Sequence, residues 1–377
     1  MIQSKTQFQS DLFDEHFEEC GFLMEQIQFI RSEPWDTYAD GLELEVRFHR
    51  HMNALLKGGS LARDRCLLGL ESESWGEVAT AIIVAETAPD FRDRLEQLTP
   101  DEHVLTGLFH GWLHRPPCEG WSQRWQFLER ENPSLLPALA KAGAWLRLPE
   151  IAQLVRHLPP QGLFGIQALS RYKSMGSAPS DWTAETLACA LRSGNADLEV
   201  VRAHHAQEPS LLLACAGTDR DVTAYVDLLN HPEMVELGVW GLALLGIPST
   251  FEALTPHLIA NGDCVAEAMK FLTGIDSPDD SKTWEGVWRA HLDHNVTHWS
   301  DMARVRHGQA WSASDLANDL FCVTRPNALQ YWLLLEYVLR TGNDVPLEWE
   351  FWSHQRDSLN WTPSEQAIQV PFPFRGR

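Results

Sequence analysis

Residues 219–274, DRDVTAYVDLLNHPEMVELGVWGLALLGIPSTFEALTPHLIANGDCVAEAMKFLTG, decide the fold class. Val222, Tyr225, Val226 and Leu229 recur at helical spacing, and Asn230-His231-Pro232 then breaks the run. Val235, Leu237, Val239, Leu242 and Leu245 make a second helix that ends at Gly246. Ser249 or Thr250 can cap a third, carrying Leu254, Leu258 and Ile259. Asn261-Gly262-Asp263 turns the chain into a fourth, with Val265, Met269 and Leu272, closed by Gly274. Two helix pairs at a period of about 28 to 30 residues are the pattern of stacked helical hairpins.

Outward from this stretch the same scheme continues with weaker periodicity. Residues 150–157 and 161–173 form one pair split by Pro159-Pro160, and residues 78–86 and 104–113 another. Alternation of the strand type is nearly absent. Upstream, Phe13, Phe17, Cys20, Phe22, Met24, Ile27 and Ile30 make a broad apolar stripe on one helix, ended by Ser32-Glu33-Pro34. Asp36 can cap a second helix with Leu44, Phe48, Met52 and Leu55, which Lys57-Gly58-Gly59 stops. Downstream of residue 280 the chain is rich in Trp and carries a long apolar helix over residues 328–339. The expected architecture is all-α: a HEAT-like α-solenoid with an N-terminal helical hairpin (1–58), repeats (59–280) and a C-terminal helical cap (281–377). A solenoid exposes an apolar face at each end and needs such a cap.

Composition narrows the function. Thirty basic against 52 acidic residues give a formal net charge of −22, which opposes direct binding to nucleic acid, where phosphates have to be neutralised by Lys and Arg. Eleven carboxylates and one Arg lie between residues 11 and 45, a surface suited to water or to a basic partner. No run approaches the roughly 18 to 20 apolar residues of a membrane helix, and the first residues lack the layout of a secretory signal. A cytoplasmic location is expected. The seven scattered cysteines then read as small buried hydrophobes. Sixteen tryptophans suit a protein that is mostly contact surface.

Catalytic chemistry finds little support. His291, His294 and His298, with Asp293, have the spacing of a helical zinc site. No cysteine or HExxH pattern accompanies them, so they read as histidines on an amphipathic helix. His110 and His114 are also four apart, with His103 upstream, but Gly111 and Pro116-Pro117 make that helix short, and no metal is expected there either. Glu15, Glu18 and Glu19 suit a solvated helix face, and Glu45, Arg47 and His51 a polar seam between the first two helices. No GxxxxGK[ST], GxGxxG or GxSxG sequence is present. No catalytic residue, cofactor or metal is expected.

Three stretches carry a family resemblance. Residues 15–23 (EHFEECGFL), residues 44–55 (LEVRFHRHMNAL) and Arg304-Val305-Arg306-His307-Gly308, followed by a long helix and Gln355-Arg356, run in order along nearly the whole chain. They resemble a family of bacterial HEAT-like repeat proteins found at type VI secretion loci, with EHxEEAAFLW, LDERLxAHLDGL and RxRxG segments. The middle repeats depart from that pattern, and Phe48 and Met52 replace its leucines. Some members act as effector immunity proteins, and the resemblance implies that role: neutralising a co-encoded toxin by covering its active site. The alternative is an adaptor or chaperone that loads an effector onto the secretion apparatus. A nuclease toxin would present a basic face to this acidic chain. The turns at Asp219, Asp221 and Asp263, beside the helices of Trp240 and Glu267, are the expected contact residues, since turns and exposed helices line a solenoid's concave face.

Overall fold

The computed structural model describes residues 5–33, 36–115, 120–158, 162–172, 175, 182–257, 262–275, 286, 290, 299, 302–322, 327–359 and 361. Among the described residues 76% are helical, with 20 α-helices and almost no strand, against about one third in an ordinary globular protein. The chain is all-α.

Helix α1 (Lys5–Ser32) and helix α2 (Leu42–Lys57) form the N-terminal hairpin. The buried side of α1 is Phe17, Cys20, Leu23, Met24 and Ile27, and α2 meets it with Phe48, Met52 and Leu55. Phe22, expected on this apolar stripe, faces out at 54% exposure. A 3₁₀ turn, Tyr38–Gly41, leads into α2, and its cap is Thr37, which shares a capping box with Asp40. The polar seam between the two helices is present. Arg31 pairs with Glu45, Arg47 with Glu19 at 2.5 Å, and His16 with His51 at 3.0 Å.

The chain divides into two compact units. Unit 1 holds residues 1–179, 323–331 and 346–361. After the hairpin it contains α3 (Gly59–Leu67), α4 (Trp75–Ala85), α5 (Phe91–Gln97), α6 (Glu102–His114), α7 (Trp121–Glu131), α8 (Leu136–Trp145), α9 (Pro149–Leu154) and α10 (Gly162–Arg171). The α4 sequence WGEVATAIIVA is apolar nearly all round, and every residue from Val78 to Ala85 is buried, as a helix without a polar face requires. Its neighbour α6 approaches closely through Gly107 and Gly111. A Cβ at either would lie 2.6 Å from the Val78 Cβ or 2.5 Å from the Ile82 Cβ.

Unit 2 holds residues 180–322, 332–345 and 362–377. It contains α11 (Ala184–Ser193), α12 (Leu198–His205), α13 (Leu212–Ala216), α14 (Val222–Leu228), α15 (Val235–Leu245), α16 (Ser249–Leu254), α17 (Gly262–Thr273) and α18 (Ala313–Phe321). The four helices expected between residues 219 and 274 are all present, and Gly246 closes α15 in the left-handed conformation at φ 61°, the usual glycine C-terminal cap. Helix α19 (Asn327–Thr341) starts in unit 1 and ends in unit 2, and α20 (Ser353–Asp357) belongs to unit 1. The residues expected to form one C-terminal cap, 281–377, are therefore shared between the units.

In each unit a largely non-repetitive segment closes a row of helix ends, and in unit 1 it includes the short helix α20. In unit 2 this is the RxRxG stretch. Val305–Arg306 (β1) pairs antiparallel with Gln309–Ala310 (β2), through a two-residue turn in which His307 and Gly308 both have positive φ, as a type I′ hairpin demands. Arg304 donates to the carbonyls of Leu244, Leu245 (2.5 Å) and Gly217. The amides of Val305, His307 and Gly308 reach the carbonyls of Gly246, Phe271 and Leu272 at 2.6, 3.2 and 2.8 Å. Carbonyls at the ends of α13, α15 and α17, which have no partner within their own helices, are satisfied this way.

In unit 1 the corresponding segment is residues 346–358. Glu348 pairs with Arg147 at 2.7 Å and with Arg171. Glu350 accepts from Trp145 Nε1 at 2.9 Å and lies 3.8 Å from Lys141. Arg31 donates to the backbone carbonyls of Glu350 and Phe351 at 3.1 and 2.9 Å. Trp352 stacks on His114 at 4.2 Å, and Ser353 donates its amide and hydroxyl to Glu45 at 2.9 and 2.6 Å. Gln355 donates to the Leu113 carbonyl, and the Arg356 guanidinium lies 4.0 Å from the Tyr38 ring.

Candidate partner-binding surface

The structure separates the five expected contact residues. Asp219 and Glu267 are exposed. Asp263 lies in the first turn of α17, and its side chain lies outside the described residues. Asp221 is a structural group instead of a rim charge. It is 5% exposed and accepts from Arg202 Nε and Nη2 at 2.7 and 2.9 Å and from the Thr218 amide at 2.8 Å. Burial alone would raise its pKa, but these bonds outweigh it and hold the carboxyl below its ordinary range. Trp240 is also buried, in edge contact with Phe271 at 6.1 Å. Asp221→Lys is therefore expected to cost about 3 kcal/mol or more of stability, because it leaves Arg202 facing a second cation. Asp219→Lys should leave the melting temperature unchanged. Thermal unfolding of the two single variants checks this, and an unaltered Tm for Asp221→Lys would contradict it.

A different surface gathers the exposed apolar groups. Among the described residues the exposed large hydrophobic side chains are Phe8 (59%), Leu12, Phe22, Phe29 (57%), Val46, Leu56 and Leu68, all in the N-terminal hairpin or just after it. Phe8, Leu12, Glu15, Phe22 and Phe29 are separated by four, three, seven and seven residues, intervals that return to one helix face. Asp11, Glu15 and Glu18 are exposed on the same part of α1. The outer face of this helix thus alternates aromatic rings with carboxylates. Its position is fixed from the inner side, where Arg31 joins α1 both to α2 through Glu45 and to residues 350–351. The signal was present in the sequence: seven apolar positions from Phe13 to Ile30 are too many for one face, and Phe22 falls off the arc of Phe17, Cys20, Met24 and Ile27.

The other polar groups of interest have structural roles. His110 and His114 are both buried on α6, stacked 5.6 Å apart. Desolvation, first of all, lowers both pKa values well below the ordinary imidazole range. For His110 the Lys141 and Arg31 charges add to this, and for His114 the charges of His110 and Arg31 do. His103 sits at the start of the helix, 2.9 Å from Asp101. Among the described residues no group of three or more His, Cys, Asp or Glu could hold a metal ion. His291, Asp293, His294 and His298 lie outside the described residues. Cys20, Cys66, Cys189 and Cys215 are buried. No described helix is long and apolar enough to cross a membrane.

No protein-family model, curated protein or solved structure matches the chain. The family resemblance rests on the three quoted stretches.

Proposed function

We propose that this chain is a cytoplasmic, non-enzymatic holding protein with a HEAT-like α-solenoid scaffold. In this reading it is an immunity protein that neutralises a co-encoded type VI secretion toxin by covering its active site. The observation that carries the reading is the outer face of α1, where Phe8, Leu12, Phe22 and Phe29 stand exposed among Asp11, Glu15 and Glu18. Exposed aromatic anchors supply most of an interface's binding energy, and rim charges of one sign set association rate and partner choice. With a net charge of −22, the partner that fits is a basic protein, such as a toxin whose cleft binds phosphates. The family resemblance supports the same role independently of the charge.

The test uses the effector encoded beside this gene, co-expressed with wild-type chain or with variants of the α1 face. Glu15→Lys combined with Glu18→Lys should slow association at least tenfold at low salt and flatten its salt dependence. Phe22→Ala with Phe29→Ala should weaken binding by about 2 kcal/mol or more, mainly through faster dissociation. Both variants should keep their helical spectrum, because all four side chains are exposed. Wild-type affinity in both would move the interface away from α1. A tight complex in which the effector stays active would favour the adaptor role over immunity.

A further inference from the structure

Beside α5, α6 and α7, unit 1 contains a cavity of about 340 Å³. Its apolar wall is Phe91, Leu95, Trp112, Phe127 and Leu128. Its charged groups are three arginines, Arg92, Arg115 and Arg124, against one carboxylate, Glu86. In a chain of net charge −22, this wall has the opposite sign to the molecule as a whole.

The charges divide by role. Glu86 pairs with both Arg115 and Arg124, the second as a two-pronged contact through Nε and Nη2. Arg92 is exposed, lies 5.6 Å from the Phe127 ring, and forms no ion pair among the described residues. Trp112 is 2% exposed, and its indole N–H has no hydrogen-bond partner among the described residues. A buried donor left without an acceptor is costly, and the Trp112 side chain is among those that line a cavity large enough for a small organic molecule.

We infer that this cavity binds a small aromatic carboxylate. Its ring would lie in the apolar wall, and its carboxylate would accept from the Trp112 N–H and the Arg92 guanidinium. One accessible guanidinium and one neutral donor match a monoanion with two oxygens, since Glu86 already occupies the other two arginines. A dianionic phosphate ester would be less well compensated. The ring volume suits a pocket of this size, at the small end of ligand sites.

Phenylacetate is the probe, and benzyl alcohol is its uncharged counterpart, both titrated into the full chain and followed by calorimetry and saturation-transfer NMR. Phenylacetate should bind saturably at one site, at least tenfold more tightly than benzyl alcohol. Arg92→Ala should weaken phenylacetate at least tenfold with an unchanged Tm, since Arg92 is exposed. Trp112→Phe keeps the ring but removes the N–H, and should weaken binding about threefold or more. The inference is overturned by non-saturable phenylacetate binding, by equal affinity for benzyl alcohol, or by an Arg92→Ala variant that binds like wild type. Tighter binding of phenyl phosphate would overturn the carboxylate assignment.

Discussion

Glu336→Ala is expected to destabilise unit 2 by about 3–5 kcal/mol. Glu336 is fully buried, and its two oxygens receive Arg306 Nη2 at 3.3 and 3.1 Å and Arg340 Nε at 2.8 Å. Arg306 is 1% exposed and Arg340 9%. Removing the carboxylate takes from two desolvated guanidiniums the counter-charge they share. The Arg306 guanidinium has little else to turn to: it lies 4.1 Å from the Phe271 ring, and its Nε and Nη1 have no partner among the described residues. The effect should spread to the row of helix ends that Arg304, Val305 and their neighbours satisfy, because Arg306 holds that hairpin against α19. Urea unfolding of the variant against wild type gives the number. A loss below about 1 kcal/mol would mean that water reaches the site and screens the arginines.

The second large effect concerns pH. His110 and His114 are neutral in the fold, with pKa values well below 6.5 because of burial above all. In the unfolded chain each titrates near 6.5. Above that pH neither state carries the proton, and the pair contributes nothing to pH dependence. Below it the unfolded state gains protons that the folded state refuses, so stability falls with pH by up to about 1.4 kcal/mol per pH unit for each histidine. His16, His49 and His354 are lowered too, which adds to the slope. Glu350, whose buried carboxyl is raised above its ordinary range, pulls the opposite way. Chemical unfolding at pH 7.5, 6.0 and 5.0 should show a steep loss over the two lower values. The double variant His110→Gln and His114→Gln should show a shallower one. A stability that does not change between pH 7.5 and 5.0 would contradict the burial of this pair.

The sequence made the helices legible wherever Pro, Gly or Asn punctuated an apolar run. Asn230-His231-Pro232, Gly246 and Gly274 mark their boundaries because each removes a donor or permits a positive φ that a helix cannot use. The fate of individual polar groups was harder to read. Asp221 looked like a surface charge, although the Thr218-Asp219-Arg220-Asp221 order is a capping-box signature. Trp240 looked like an anchor, although α15, VELGVWGLALL, has no polar face beyond Glu236 and has to be enclosed. Glu348 and Glu350 gave no signal. Their partners Arg147, Lys141 and Trp145 lie about 200 residues away in sequence, and pairing across that separation follows from packing, which local patterns do not encode. The cavity beside α5, α6 and α7 is lined by residues between 86 and 128, and it too arises from how helices pack, which periodicity along each helix does not show.

The segment that fastens Glu348, Glu350 and Trp352 to unit 1 also sets an order of events during synthesis. Helices α1 to α10 leave the ribosome well before residues 346–358 exist, by on the order of ten seconds or more at ordinary elongation rates. During that interval Lys141 and Arg171 lack the Glu350 and Glu348 carboxylates, and Arg31, already paired with Glu45, lacks the Glu350 carbonyl 319 residues away. Until then the N-terminal helices lack the contacts made by this segment. Synthesis of residues 346–358 supplies the latch. Closure of these helix ends is thereby tied to synthesis of residues 346–358, so that a product cut short before residue 346 keeps α1 to α10 and loses the latch.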